Sequence, residues 1–168
     1  MKICLDFSES SNNANMTVVG FEDWKSDKIA FSVNKTITIS DLKDNVEKFS
    51  NELILLNHLS DFINPHNIEL IIISDYVWLD NEKKIKGKGA FFYEFFNKNI
   101  PIIGVAQTCI ENVSSITKIV FRGPTPDPIY ITSAGIDEGF SAYMIRIMYG
   151  DERIPNIIQY TNKFAVSL

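Results

Sequence analysis

Ile68-Glu69-Leu70-Ile71-Ile72-Ile73-Ser74-Asp75 is the stretch that decides the fold. Residues 68–74 are β-branched and apolar on both faces, which reads as a central, parallel strand covered on both sides. Asp75 closes the run. A buried strand that ends in an acid ends there because the acid faces water, a partner or a metal. Ile3-Cys4-Leu5-Asp6 repeats the pattern at the start of the chain. If the two strands are neighbours, two carboxylates meet, and their repulsion calls for a cation between them. The plain alternative is a pair of solvated strand ends in turns.

Working outward from this strand, the residues before it read as an antiparallel meander: strands at 2–7, 16–21 and 28–33, with turns at 8–15 and 24–27. Then the period changes. Ser40 or Asp41 is a fair N-cap, and Leu42, Val46, Phe49, Leu53, Leu56 and Ile63 follow at helical spacing. A helix is predicted over 41–62, stopped before Pro65. Beyond Asp75 come an aromatic-rich helix at 87–97, a buried strand at 101–106 and a hairpin of 116–121 with 128–132. A helix at 137–149 follows, with Phe140, Met144, Ile147 and Met148 on one side, and a short segment after Pro155. A meander followed by αβ units predicts an α/β fold, a mixed sheet with helices on its faces.

The bulk properties agree. At 168 residues the chain suits one domain spanning 1–168, and 45% hydrophobic content is enough for a packed interior. Sixteen lysines and arginines against 21 acids leave a net charge of −5, which disfavours attachment to nucleic acid through bulk charge. It leaves room for a local basic groove or a Mg²⁺-bridged phosphate. Cys4 and Cys109 both lie in apolar runs and are expected as buried free thiols. Met1-Lys2 leads directly into a strand, and no apolar run approaches the ~20 residues of a membrane helix. A soluble, cytoplasmic monomer without membrane contact is expected.

Three further motifs bear on function. They are Asn99-Ile-Pro-Ile-Ile-Gly-Val-Ala106, Arg122 followed by Asp127-Pro-Ile-Tyr-Ile-Thr-Ser-Ala-Gly135, and Arg153-Ile-Pro-Asn-Ile-Ile-Gln-Tyr160. Their order and spacing, together with Asp6 and Asp75, resemble the endonuclease V family of the ribonuclease H-like fold, which nicks nucleic acid near inosine. The resemblance covers most of the chain and implies a Mg²⁺-dependent nuclease, with Mn²⁺ as a substitute, acting on DNA or RNA. It implies Asp6, Glu52 and Asp75 as metal ligands and catalytic acids, with Glu47 the alternative to Glu52. Asp137 is a candidate fourth acid. Hard carboxylate oxygens are the ligands Mg²⁺ takes, and a metal held this way can activate water and relieve charge on a leaving oxygen. Glu52 as a solvated helix-flank acid is the plain alternative.

The dense basic run of Lys83, Lys84, Lys86 and Lys88 follows Asp75 and leads into a helix, which suits contact with a nucleic-acid backbone. A solvated loop explains it equally well. Arg122 is a further candidate for that contact. Trp78 is placed to stack on a base or to anchor the loop, whereas Phe91, Phe92, Phe95 and Phe96 are expected to pack the core.

The chain also departs from the family pattern. Gln107 stands where the family has Lys, Tyr76 replaces the glycine after the acid, and Ile136-Asp137 follows Gly135 where the family has His. Residues 34–40 lack the Tyr-Ile-Pro-Gly wedge. These departures imply altered or lost inosine specificity. They keep a second reading open, a catalytically inactive relative that binds nucleic acid or protein.

Overall fold

The computed structural model describes residues 1–10, 13–38, 50–110 and 115–166. Its framework is a seven-stranded sheet. In chain order the elements are β1 (Lys2–Glu9), β2 (Asn13–Phe21), β3 (Phe31–Thr38), α1 (Ser50–Asn57), β4 (Leu70–Ile73) and α2 (Lys88–Phe95). Then come β5 (Ile102–Ala106), β6 (Lys118–Val120), β7 (Ile129–Ala134), α3 (Glu138–Ile147) and α4 (Asn156–Val166). Across the sheet the strands run β3-β2-β1-β4-β5-β7-β6. β1 to β3 form the expected antiparallel meander, β4 and β5 add in parallel, and β6 and β7 form the expected hairpin. This is the ribonuclease H-like mixed sheet.

Strand alternation divides the core in two. Ile3, Leu5, Ile71, Ile73 and Ile102 face α1 and α2, where Leu55, Leu56, Ala90 and Phe92 cover them. Cys4, Leu70, Ile72, Ile103 and Ile131 face α3 and α4, where Ile145, Met148, Ile157 and Ile158 cover them. Both faces of β4 are therefore buried, as its unbroken isoleucine run requires. Phe91, Phe95 and Phe96 pack against the first cluster, beside fully buried Phe92.

Several elements differ from expectation. β3 begins and ends later than 28–33, because Asn34 and Thr36 have cross-strand partners that carry the ladder onward. Thr17 Oγ1 donates to Asn34 Oδ1 at 2.8 Å and Thr36 Oγ1 to Asn15 Oδ1 at 2.7 Å. The first helix, described from Ser50, ends at Asn57, short of the expected 62, and a 3-10 turn at Leu59–Asp61 follows it. The rest of its expected N-terminal part, with Glu47, lies outside the described residues. The segment after Pro155 is a full helix, α4, whose Ile157, Ile158 and Thr161 are buried. The Thr161 hydroxyl donates to the Ile157 carbonyl at 2.8 Å, which lets a polar residue sit in that face. On α3 the buried side is Ser141 and Ile145, continued by Met148, while Phe140 is half exposed. Cys4 is buried as expected. Cys109 is exposed, because β5 ends at Ala106 and polar Gln107 and Thr108 carry the chain into a loop. Among the described residues, no helix is long and apolar enough to cross a membrane.

Candidate metal centre and nucleic-acid interface

The parallel register of β1 with β4 pairs Leu5 with Ile73, so Asp6 lies alongside Ser74 and Asp75 stands one residue further on. Alternation then separates the side chains. Ile73 faces α1 and α2, so Ser74 turns to the opposite face, where its hydroxyl donates to Asn162 Oδ1 on α4 at 2.8 Å. Asp75 lies beyond the end of β4, and its contact with Lys88 puts it on the α1/α2 side, whereas alternation along β1 puts Asp6 on the side of Cys4.

What gathers at Asp75 is an ion triad. Lys88 Nζ lies 3.6 Å from Asp75 Oδ2 and 3.3 Å from Glu52 Oε1. The Glu52 and Lys88 side chains are only 13% and 19% exposed, against 39% for Asp75, so the pair is shielded while one end opens to solvent. α1 is held over the strand ends by Asn51 Nδ2, which donates to Glu9 Oε1 at 2.8 Å. The Phe7 ring lies 5.9 Å from the Lys88 ammonium and supplies a π face.

Glycines bring Lys88 to this position. Gly87 N–H donates to Val77 O at 2.9 Å and Gly89 N–H to Tyr76 O at 3.1 Å. A Cβ on Gly87 would stand 2.4 Å from Tyr76 O, and one on Gly89 2.7 Å from Val77 Cγ2. The start of α2 thus lies directly on the turn that follows Asp75. Asp75 Oδ1 in turn accepts the Tyr76 N–H at 2.7 Å, and Val77 N–H donates to Thr132 Oγ1 at 2.8 Å.

Asp6 is linked to the triad by its field. Burial pushes the Asp6 carboxyl up, a hydrogen bond from the Phe7 N–H and the charge of Lys88 pull it down, and Asp75 pushes it up again. The net is a carboxyl held above the ordinary aspartate range. Of the three expected ligands, Glu52 and Asp75 share one cation, while Asp6 is coupled to Asp75 and Lys88 from the other side of the strand ends. Among the described residues, no group of three His, Cys, Asp or Glu side chains is close enough to hold a metal ion. The donors are nonetheless of the type a hard divalent cation takes, and two of them already converge on one positive nitrogen.

The other candidates fall elsewhere. Asp137 is the N-cap of α3, its Oδ1 accepting the Phe140 N–H at 2.7 Å. Lys83 pairs with Glu138 at 2.7 Å, Lys86 with Glu94 at 2.7 Å and Lys84 with Glu82. Each lysine of the basic run therefore has an acid partner. The loop carrying them is folded around Asp80, whose carboxylate accepts the Lys84 and Ile85 N–H groups at 2.9 and 2.8 Å. Arg122, the further candidate for nucleic-acid contact, is buried at the end of α3. It is 8% exposed, and its guanidinium donates to the carbonyls of Arg146, Met148 and Gly150 where α3 ends. Unsatisfied carbonyls at a helix C-terminus attract such a cation. Trp78 is an anchor, with its indole N–H donating to Ser133 O at 3.0 Å and its ring against the core.

The fold defines a class first. A mixed sheet in the order β3-β2-β1-β4-β5 is a ribonuclease H-like fold. Within that class the chain has the fold of endonuclease V structures. It superposes on endonuclease V from Bacillus subtilis with a TM-score of 0.70 and 15% identity, covering 98% of this chain and 77% of that one. Human endonuclease V gives 0.69 and 11% identity over 98% and 82%. The Ciona intestinalis enzyme gives 0.69 and 14% over 98% and 83%, in a complex with a 24mer DNA containing an inosine followed by a ribo-adenosine. The sequence matches no protein-family model and no curated protein.

Proposed function

We propose that this chain is a divalent-metal-dependent nuclease of altered specificity, acting on phosphodiester bonds of DNA or RNA. The observation that carries the proposal is the pair Glu52 and Asp75, one carboxylate shielded and one open to solvent, converging on a single positive charge at the C-terminal end of β4. The endonuclease V fold adds a nuclease framework around that pair.

In this reading Glu52 and Asp75 would hold Mg²⁺ or Mn²⁺, and Asp6 on β1 would add its negative field. The bound cation would supply Lewis acidity and a more acidic water. The chain's own residues do the rest. The strand end and α1 fix the carboxylates on rigid elements. Lys83, Lys84 and Lys86, in surface pairs of little net strength, exchange their acid partners for backbone phosphates. The absence of a Tyr-Ile-Pro-Gly wedge in residues 34–40 goes with altered or lost inosine specificity.

A second reading, a non-cleaving nucleic-acid- or protein-binding relative, is favoured by one observation: Lys88 already neutralises the two carboxylates. One experiment separates the two. Purified protein is incubated with Mg²⁺ or Mn²⁺ and with inosine-containing and inosine-free DNA and RNA, single- and double-stranded. Metal-dependent cleavage that is lost in Asp75→Asn supports the nuclease. No cleavage of any substrate, with no metal-dependent rise in Tm, defeats it.

A further inference from the structure

We propose that Lys88 is an internal counter-cation, which holds Glu52 and Asp75 together in the metal-free chain and must leave them for a divalent ion to bind. The inference deepens the metal-site reading above and rests on it.

The ammonium occupies the space between the two carboxylates, 3.3 Å from Glu52 Oε1 and 3.6 Å from Asp75 Oδ2. Two like charges drawn to one place repel one another, and a positive charge between them offsets that cost. A divalent ion cannot share the position, because an ammonium a few ångströms away repels it as strongly as it attracts the acids. The backbone of Lys88 cannot retreat. It is flanked by Gly87 and Gly89, each hydrogen-bonded to the turn after Asp75, and each with no room for even a Cβ. Only the four-carbon stem can swing, and a lysine stem is flexible enough to do so. Its open side is the solvent-facing end of Asp75. The lysine thus competes with the metal and keeps the acid pair assembled until a metal arrives.

The test uses the full chain and Mn²⁺ alone, with no nucleic acid. Mn²⁺ affinity is measured for wild type and Lys88→Met by calorimetry, and Tm is measured in EDTA. Lys88→Met is expected to bind Mn²⁺ roughly tenfold more tightly and to melt lower than wild type in EDTA. Equal or weaker binding by the variant overturns the inference and leaves the metal site standing. Binding by neither protein overturns the metal site and the inference together. A second measurement covers a variant that fails to fold. Wild-type protein is labelled with acetic anhydride, with and without Mg²⁺, and read by peptide mass spectrometry. Lys88 labelling is expected to rise several-fold with Mg²⁺ while that of exposed Lys84 stays constant. Unchanged Lys88 labelling overturns the inference.

Discussion

Gly104 lies beneath Asp75. A Cβ at position 104 would stand 2.3 Å from the Asp75 carbonyl oxygen and 3.1 Å from Thr132 Oγ1. The chain leaving β4 turns directly across β5, and that turn sets the direction of the Asp75 carboxylate. Gly104→Ala forces the two strands apart and is expected to destabilise the fold by about 1–3 kcal/mol. Denaturant unfolding reads this loss. Mn²⁺ affinity falls with it, because Asp75 moves relative to Glu52.

The triad itself is measurable as a coupling. Glu52→Gln and Lys88→Met should each cost the metal-free protein about 1–3 kcal/mol, since each leaves a shielded charge poorly paired. The double variant should cost less than the sum of the two, by about 1 kcal/mol. Strict additivity in a double-mutant cycle would show that the 3.3 Å contact contributes no energy of its own.

Arg122 provides a control for the nucleic-acid interface. Its fork serves the carbonyls of Arg146, Met148 and Gly150, which a lysine cannot reach together. Arg122→Lys is expected to lower stability by about 1–3 kcal/mol and to leave nucleic-acid affinity unchanged for the folded protein. A filter-binding assay showing a large loss of affinity at unchanged stability would reverse the assignment.

The Lys83–Glu138 pair has a predictable pH dependence. Burial alone would raise the Glu138 carboxyl. The hydrogen bond from Lys83, the local backbone N–H and the Lys83 charge outweigh it, and the net shift is downward from 4.5. A carboxyl depressed in the folded state stabilises the fold above its unfolded pKa, and the contribution fades as pH falls through the folded value. Glu138→Gln should therefore cost about 0.5 kcal/mol near neutral pH, the partner lysine being well exposed. Chemical unfolding at about pH 2–3 should show no difference between the two proteins.

The sheet was legible because its strands announce themselves. The isoleucine run of β4 has no polar face, so it had to be central, and the short connections of β1 to β3 forced a meander. What stayed hidden depended on partners far along the chain. α4 was unread because Thr161 interrupts its apolar side, and only its hydrogen bond to Ile157 explains why it is buried. β3 was placed early because Asn34 and Thr36 look like loop residues until Thr17 and Asn15 stand opposite them. Cys109 looks buried only if the strand is carried past Ala106, but Gln107 and Thr108 end it. At the site, strand ends point to Asp6 and Asp75, but that they lie on different sides follows only from alternation along β1 and from the contact of Asp75 with Lys88. Lys88 stood out as one of a basic run. Its real company, Glu52 and Asp75, comes from the packing of Gly87 and Gly89 on the Asp75 turn, which no spacing of charges encodes.

The most direct measurement is anomalous diffraction from crystals of the protein soaked in Mn²⁺. A single strong peak bounded by the Glu52 and Asp75 carboxylates, with the Lys88 side chain displaced from them, is the expected result. Absence of a peak there, with the Lys88 ammonium still bridging both acids, would contradict a metal centre at this site.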